Sequence, residues 1–215
     1  MDQNFQIETW KSKFGKDYTT RNTFGSQEEF NNFFIKRYGI SRDQFYEKNL
    51  KLIPKNSKIL EVGANIGNQL SSLYRIGFKN LYGIEIQRDA INYAHSIFPM
   101  LDIIYGLAQD IPLKNNFVDA VFTNNVLIHI SPEDLPKVLS EMHRVTKKYI
   151  FGFEYFASKF KSINYRNNSS LLWKGDYCNL FLDNFSDLKL VKKEFFIPQD
   201  EPNNKDQFFI LEKIN

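Results

Sequence analysis

Lys58-Ile59-Leu60-Glu61-Val62-Gly63-Ala64-Asn65-Ile66-Gly67-Asn68 is the stretch that decides the fold. A short apolar strand, 58–62, runs directly into Gly63. A helix opens near Asn68, with Leu70, Leu73 and Ile76 on one face and Gly77 as its stop. A strand that turns into a helix through small residues is how an open parallel sheet presents backbone to a ligand. Such ligands lie beyond the carboxyl ends of the strands, where the strand order reverses, and the absence of side chains there allows close approach.

The same alternation continues downstream. The spacing predicts strands at 81–84, 101–105, 118–122 and 149–153. It predicts a helix at 90–98 stopped by Pro99, and another capped by Ser131 with Pro132 in its first position. The buried stripe of that second helix is Leu135, Val138, Leu139, Met142 and Val145. Strands 188–197 and 207–213, joined by a Pro/Asp/Asn-rich turn, predict an antiparallel hairpin at the sheet edge. Upstream, Ile7, Trp10, Phe14 and Tyr18 read as one helix. Ser26 with Glu29 reads as a capping box before Phe30, Phe33, Phe34 and Tyr38, and Ser41 with Gln44 opens a third helix. The expected fold is α/β: a Rossmann-like, doubly wound, seven-stranded, mostly parallel sheet with a C-terminal antiparallel hairpin and N-terminal helices. One domain spans 1–215, divided into an N-terminal helical lid or cap (1–55), a cofactor-binding core (56–154), an irregular substrate-side insert (155–187) and the hairpin (188–215).

Composition narrows the function classes. A net charge of +3, with lysines scattered rather than striped, argues against a nucleic-acid partner. A single cysteine, Cys178, excludes an internal disulfide and a cysteine-based metal cluster, and no metal site is expected. The start, Met1-Asp2-Gln3-Asn4, is polar, and no apolar run approaches membrane-spanning length. The expectation is a cytoplasmic protein without membrane contact. Nothing here sets the oligomeric state, monomer or homodimer.

Glu85 closes the second strand, where a carboxylate can accept two hydrogen bonds from a ribose diol. Gly63, Gly67 and Glu85 together read as a nucleoside half-site. A dinucleotide fingerprint would need a middle glycine where Asn65 stands, which argues against a nucleotide-cofactor oxidoreductase. Retention of both glycines and the acid argues against a non-catalytic binding module built on the same fold.

The pattern Glu61-x-Gly63-x-x-x-Gly67 resembles the first motif of class I S-adenosylmethionine-dependent methyltransferases. Ile84-Glu85-Ile86 resembles their ribose-acid motif, 106–113 (GLAQDIPL) their adenine-flanking loop, and 119–130 (DAVFTNNVLIHI) their fourth-strand motif. One departure is Leu107, which stands where that family often has an acid for the adenine amino group; that contact then falls to backbone near Ala108, or to Gln109 and Asp110. The resemblance implies S-adenosylmethionine as cofactor, with S-adenosylhomocysteine as product. It assigns cofactor contacts to Gly63, Ala64, Asn65, Gly67, Asn68, Glu85, Ile86, Leu107, Ala108, Gln109 and Asn124.

The N-terminal run Glu8-Thr9-Trp10 to Phe14-Gly15, with Tyr18, Arg21 and Asn22, resembles more narrowly the methylases associated with pseudaminic and legionaminic acid biosynthesis; 126–130 and Asp200-Glu201-Pro202 fit as well. That resemblance implies methyl transfer to a nitrogen or oxygen of a nonulosonic, sialic-acid-like sugar or its nucleotide-activated form, in surface or flagellar glycan biosynthesis. Tyr18, Arg21, Asn22, Tyr165, Arg166 and Trp173 are the expected substrate contacts; arginine suits bidentate capture of a carboxylate. His129 and Glu154, at the mouths of the fourth and fifth strands, are the candidate proton acceptors.

Overall fold

In the computed structural model, which describes residues 3–214, the sheet has seven strands. Met1 and Asp2 of the polar start lie outside the described residues. Five strands run parallel: β1 (Lys58–Val62), β2 (Asn80–Glu85), β3 (Asp102–Tyr105), β4 (Val118–Asn124) and β5 (Thr146–Tyr155). β8 (Leu188–Phe196) and β9 (Asp206–Lys213) form the antiparallel hairpin, giving the order β3-β2-β1-β4-β5-β9-β8. The seven-stranded, mostly parallel Rossmann-like fold expected from the sequence is what the chain adopts.

Alternation along β1 explains why it reads as a continuous apolar run. Ile59 packs into a core with Phe45, Leu70 and Leu73 on one face of the sheet. Leu60 and Val62 pack on the other face, with Val138 and Leu139. A parallel strand covered on both faces has no solvent side to mark with polar residues. The strand order reverses between β1 and β4, so the crevice lies above their carboxyl ends.

The helices follow their caps. α3 (Gln27–Tyr38) starts at Ser26, whose hydroxyl accepts from Glu29 N at 3.1 Å, and stops at Gly39 in the left-handed conformation, φ 74°. Its capping box is displaced by one residue, because the Glu29 carboxylate accepts from Gly25 N rather than Ser26 N. α4 (Arg42–Asn49) has the full Ser41/Gln44 box. α5 (Asn68–Arg75) and α6 (Arg88–Ile97) make the crossovers to β2 and β3, and α7 (Leu135–Val145) the crossover to β5.

Three elements differ from the sequence expectation. The first predicted helix is two, α1 (Gln3–Lys11) and α2 (Lys13–Arg21), because the Ser12 hydroxyl caps a new start by accepting from Phe14 N. They meet so closely that a Cβ on Gly15 would sit 1.9 Å from the Trp10 carbonyl oxygen. α7 begins at Leu135, not beside Ser131. Ser131 and Asp134 bond to each other in a preceding turn, and Pro136 takes the first-turn position. The 155–187 insert is not wholly irregular. It carries a short hairpin of β6 (Lys161–Ser162) and β7 (Trp173–Lys174), then α8 (Tyr177–Asn184), capped by the Asp176 carboxylate. Among the described residues, no helix is long and apolar enough to cross a membrane.

Candidate functional site

The β1–α5 bend is built from left-handed backbone: φ is 72° at Gly63, 47° at Asn65 and 84° at Gly67. Gly63 N and Ala64 N both donate to the Ile84 carbonyl, at 2.9 and 3.0 Å, tying the bend to the end of β2. Glu85 completes the tie. Its Oε2 accepts from Asn65 N at 2.8 Å, and its Oε1 accepts from Ile86 N at 2.7 Å and Gln87 N at 2.8 Å. Burial raises the Glu85 carboxyl above its ordinary value, and the three amides pull against that. Oε2, with one amide donor, keeps acceptor capacity for a hydroxyl.

The two glycines have different jobs. Gly63 lines the crevice, and a Cβ there would press a Val126 methyl at 2.7 Å. Gly67, expected to touch the cofactor, is not on the crevice. Its Cβ would strike the δ-methyls of Leu101 and Ile103 at 2.9 Å, so it serves the packing of α5 onto the sheet.

Above the carboxyl ends of β1, β2 and β4 lies a cavity of about 450 Å³. Ile86, Leu107, Ala108 and Gln109 wall its β2–β3 side; Ala64, Asn65, Asn68, Glu85 and Asn124 also line it. Asp110, weighed as an adenine contact, lies outside. Among the described residues, three buried acceptors of cavity-lining residues have no hydrogen-bond donor: Glu61 Oε2, Asn65 Oδ1 and Asn125 Oδ1. Burial holds the Glu61 carboxyl well above its ordinary value, partly offset by Arg42. Unsatisfied buried acceptors are costly. Three such acceptors on residues lining one cavity, beside a backbone cradle, fit a ligand that brings an ammonium group together with a nucleoside, as S-adenosylmethionine does.

The rest of the cavity is aromatic and basic. His129, in the 3-10 turn Leu127–His129, packs against Trp10 (centroids 4.6 Å apart), Tyr165 (5.6 Å) and Tyr18 (5.9 Å). Its Nδ1–H donates to the Leu171 carbonyl at 2.7 Å, and burial pushes its pKa down to about 4. The neutral ring therefore carries its lone pair on Nε2. Tyr18, Arg21, Asn22, Tyr165 and Arg166 all line the cavity. Arg166 and Asn167 stand at φ 52° and 64°, at the tip of a tight turn closed by the mutual bonds of Tyr165 and Asn168. Side chains are rarely held there without a local reason.

Two further expected contacts are not on the cavity. Glu154 is fully buried beneath it. Its Oε1 accepts from Val126 N at 3.2 Å and its Oε2 from Ile128 N at 3.3 Å, so it fixes the turn that carries His129. Burial pushes its pKa up to about 7. Trp173 is buried in β7, pairing with Ser162, and its carbonyl accepts from Tyr177 Oη at 3.2 Å. Conversely, the sequence reading did not assign Trp10, Glu61, Gln69 or Asn125 to the site. Trp10 stood in a helical stripe that reads as packing, and Asn125 stood inside the quoted fourth-strand motif without being singled out.

Comparison with known proteins agrees with this geometry. A family described as "Methyltransferase domain" matches residues 60–149. An uncharacterized methyltransferase of Synechocystis is 28% identical over 100 residues, 46% of this chain and 46% of that protein, so the match spans about half the relative's length. Among solved structures, the magnesium protoporphyrin IX methyltransferase of Synechocystis, with bound S-adenosylhomocysteine, superposes with a TM-score of 0.69 over 99% of this chain and 100% of its own, at 11% identity. The PH0226 protein of Pyrococcus horikoshii gives 0.61 over 80% and 89%, at 17% identity. The 1,6-didemethyltoxoflavin-N1-methyltransferase of Burkholderia thailandensis gives 0.63 over 81% and 77%, at 12% identity. At these identities the likeness speaks for the fold. The family match, from β1 to the start of β5, marks residues 60–149 as similar to a methyltransferase domain, on the strands that carry the acceptor-lined cradle.

Proposed function

We propose that this chain transfers a methyl group from S-adenosylmethionine to a nitrogen or oxygen of a small anionic acceptor. The finer reading is a nonulosonic sugar acid or its nucleotide-activated form. The observation that carries the acceptor class is that Arg21 and Arg166 line the same cavity as the rings of Trp10, Tyr18, Tyr165 and His129. Arginines recognise a carboxylate with directed, charge-assisted bonds, and the rings cover the apolar faces of a sugar. The narrower resemblance of the N-terminal run and of 126–130 supports the sugar acid.

The bound cofactor would supply a methyl group already activated by its sulfonium charge. The chain's own work is alignment and exclusion of water. The Glu85 carboxylate and the Gly63–Asn65 backbone hold the nucleoside, while Glu61, Asn65 and Asn125 offer acceptors to the ammonium. α1 and α2, with the 155–187 insert, act as a cover over the acceptor side. His129 Nε2 accepts a hydrogen bond from the nucleophile's N–H or O–H, orients its lone pair, and takes up the proton that the acceptor gives up on methylation. Glu154, spent on loop amides, is not the proton acceptor.

The test is mass spectrometry of sugar acids incubated with the chain and S-adenosylmethionine. A one-methyl gain that disappears in Arg21→Ala and Arg166→Ala supports the reading. Binding of S-adenosylhomocysteine without methylation of any sugar acid would remove the acceptor class and leave the cofactor standing.

A further inference from the structure

Arg42 opens α4 and is 1% exposed. Its guanidinium lies among four rings, those of Phe34 (4.2 Å to the centroid), Phe153 (4.8 Å), Tyr46 (5.0 Å) and Phe45 (5.2 Å). Its hydrogen-bond partners are two neutral amides. Nε donates to Gln69 Oε1 at 2.6 Å, and Nη2 donates to Asn124 Oδ1. The Tyr46 hydroxyl donates to the same Gln69 oxygen at 2.8 Å.

A guanidinium only donates. Both amides must therefore turn their oxygens to Arg42 and their NH₂ groups away from it. Gln69 and Asn124 each line the cavity, alongside Glu61 and Asn125. One arginine outside the strand motifs thus sets the polarity of two side chains at the site. Without it, either amide could flip and present an oxygen instead.

We propose that Gln69 Nε2 and Asn124 Nδ2 form a donor pair for the carboxylate of the cofactor's amino-acid end, and that Arg42 is the positioning residue that holds them in that sense. This rests on the cofactor reading above. The donor pair complements the acceptors at Glu61, Asn65 and Asn125, so the cavity offers both halves of a zwitterion its partner. It also makes α4 part of the cofactor site, although none of its residues touches the cavity.

Two isosteric variants test it. Gln69→Glu and Asn124→Asp keep shape and turn the contact with Arg42 into an ion pair, so the fold is retained. Each removes an NH₂ donor and offers an oxygen to the cavity. Calorimetry compares S-adenosylhomocysteine, which has the amino-acid end, with 5′-methylthioadenosine, which lacks it. Each variant should bind S-adenosylhomocysteine about tenfold or more weakly, the scale of one lost charge-assisted bond, and 5′-methylthioadenosine within about twofold of wild type. Arg42→Met should show the same selective loss where a melting curve shows it folded; if it does not fold, the two acid variants decide. Unchanged S-adenosylhomocysteine affinity in both acid variants, or equal loss for both ligands, overturns the proposal. A wild-type chain that binds neither ligand contradicts the cofactor reading itself.

Discussion

At the scale of single residues, the cradle depends on backbone that side chains cannot copy. Gly63 combines φ 72° with a Val126 methyl 2.7 Å from where a Cβ would stand. Gly63→Val adds a β-branched group in the left-handed region, at a stability cost of about 1–3 kcal/mol, and pushes Val126 into the nucleoside's place. Calorimetry should show S-adenosylhomocysteine binding weakened by about a hundredfold or more; unchanged affinity would mean that the ligand lies elsewhere. His129 carries a second prediction. Its folded pKa is depressed from 6.5 to about 4, so between those values the unfolded chain binds more protons than the folded one. Its contribution is whole above pH 6.5 and is lost as pH falls towards 4, amounting to about 3 kcal/mol. Glu154 and Asp206, raised by burial to about 7 and about 6, act with the opposite sign. The diagnostic quantity is therefore a difference: in urea unfolding, wild type should lose stability relative to His129→Gln as pH falls from 6.5 to 4. Parallel profiles would refute the buried neutral imidazole.

At the scale of elements, α3 is tied to the β8–β9 turn by specific polar contacts. Arg37, near the end of α3, donates to both oxygens of Asp200 at 2.8 and 2.7 Å and to Glu201 at 3.0 Å, clasping the β8–β9 turn. Beside it, Tyr38 Oη donates to Asp206 Oδ2 at 2.6 Å. The acids are half exposed, so the clasp contributes on the order of 1 kcal/mol and weakens with salt. Arg37→Met should speed amide hydrogen exchange in α3 and the 198–204 turn while leaving β1 and β4 protected. Uniform protection would show that the clasp holds nothing. The same scale shows why α8 was not legible in the sequence. Tyr177, Cys178 and Phe181 are its buried face, and eight residues are too few for a helical period to stand out from an apolar run. The split of α1 from α2 was hidden similarly, because Trp10, Phe14 and Tyr18 keep helical spacing across the break at Ser12.

For the whole molecule, the sheet and its switch point were written in the sequence. Strands buried on both faces give unmistakable apolar runs, and at the ligand side β1 runs into Gly63, β2 ends on Glu85 and β4 on Asn124. Direction within such a strand is not written. Phe153 packs with the α4 residue Phe45, so its neighbour Glu154 must face the opposite way, beneath the Leu127–His129 turn. The sequence shows an acid at a strand end but not which face it takes. Arg42 was equally silent, because its role depends on amides distant in the chain that only the packed fold brings together.

The central claim is that the β1–α5 bend, Glu85 and the three unsatisfied acceptors hold an adenosine with an amino-acid tail. Calorimetric titration of the intact chain with S-adenosylhomocysteine, beside NAD and ATP, tests it most directly. The account predicts saturable one-to-one binding of S-adenosylhomocysteine and none of the other two. No heat with S-adenosylhomocysteine, or tighter binding of a phosphate-bearing nucleotide, would contradict it.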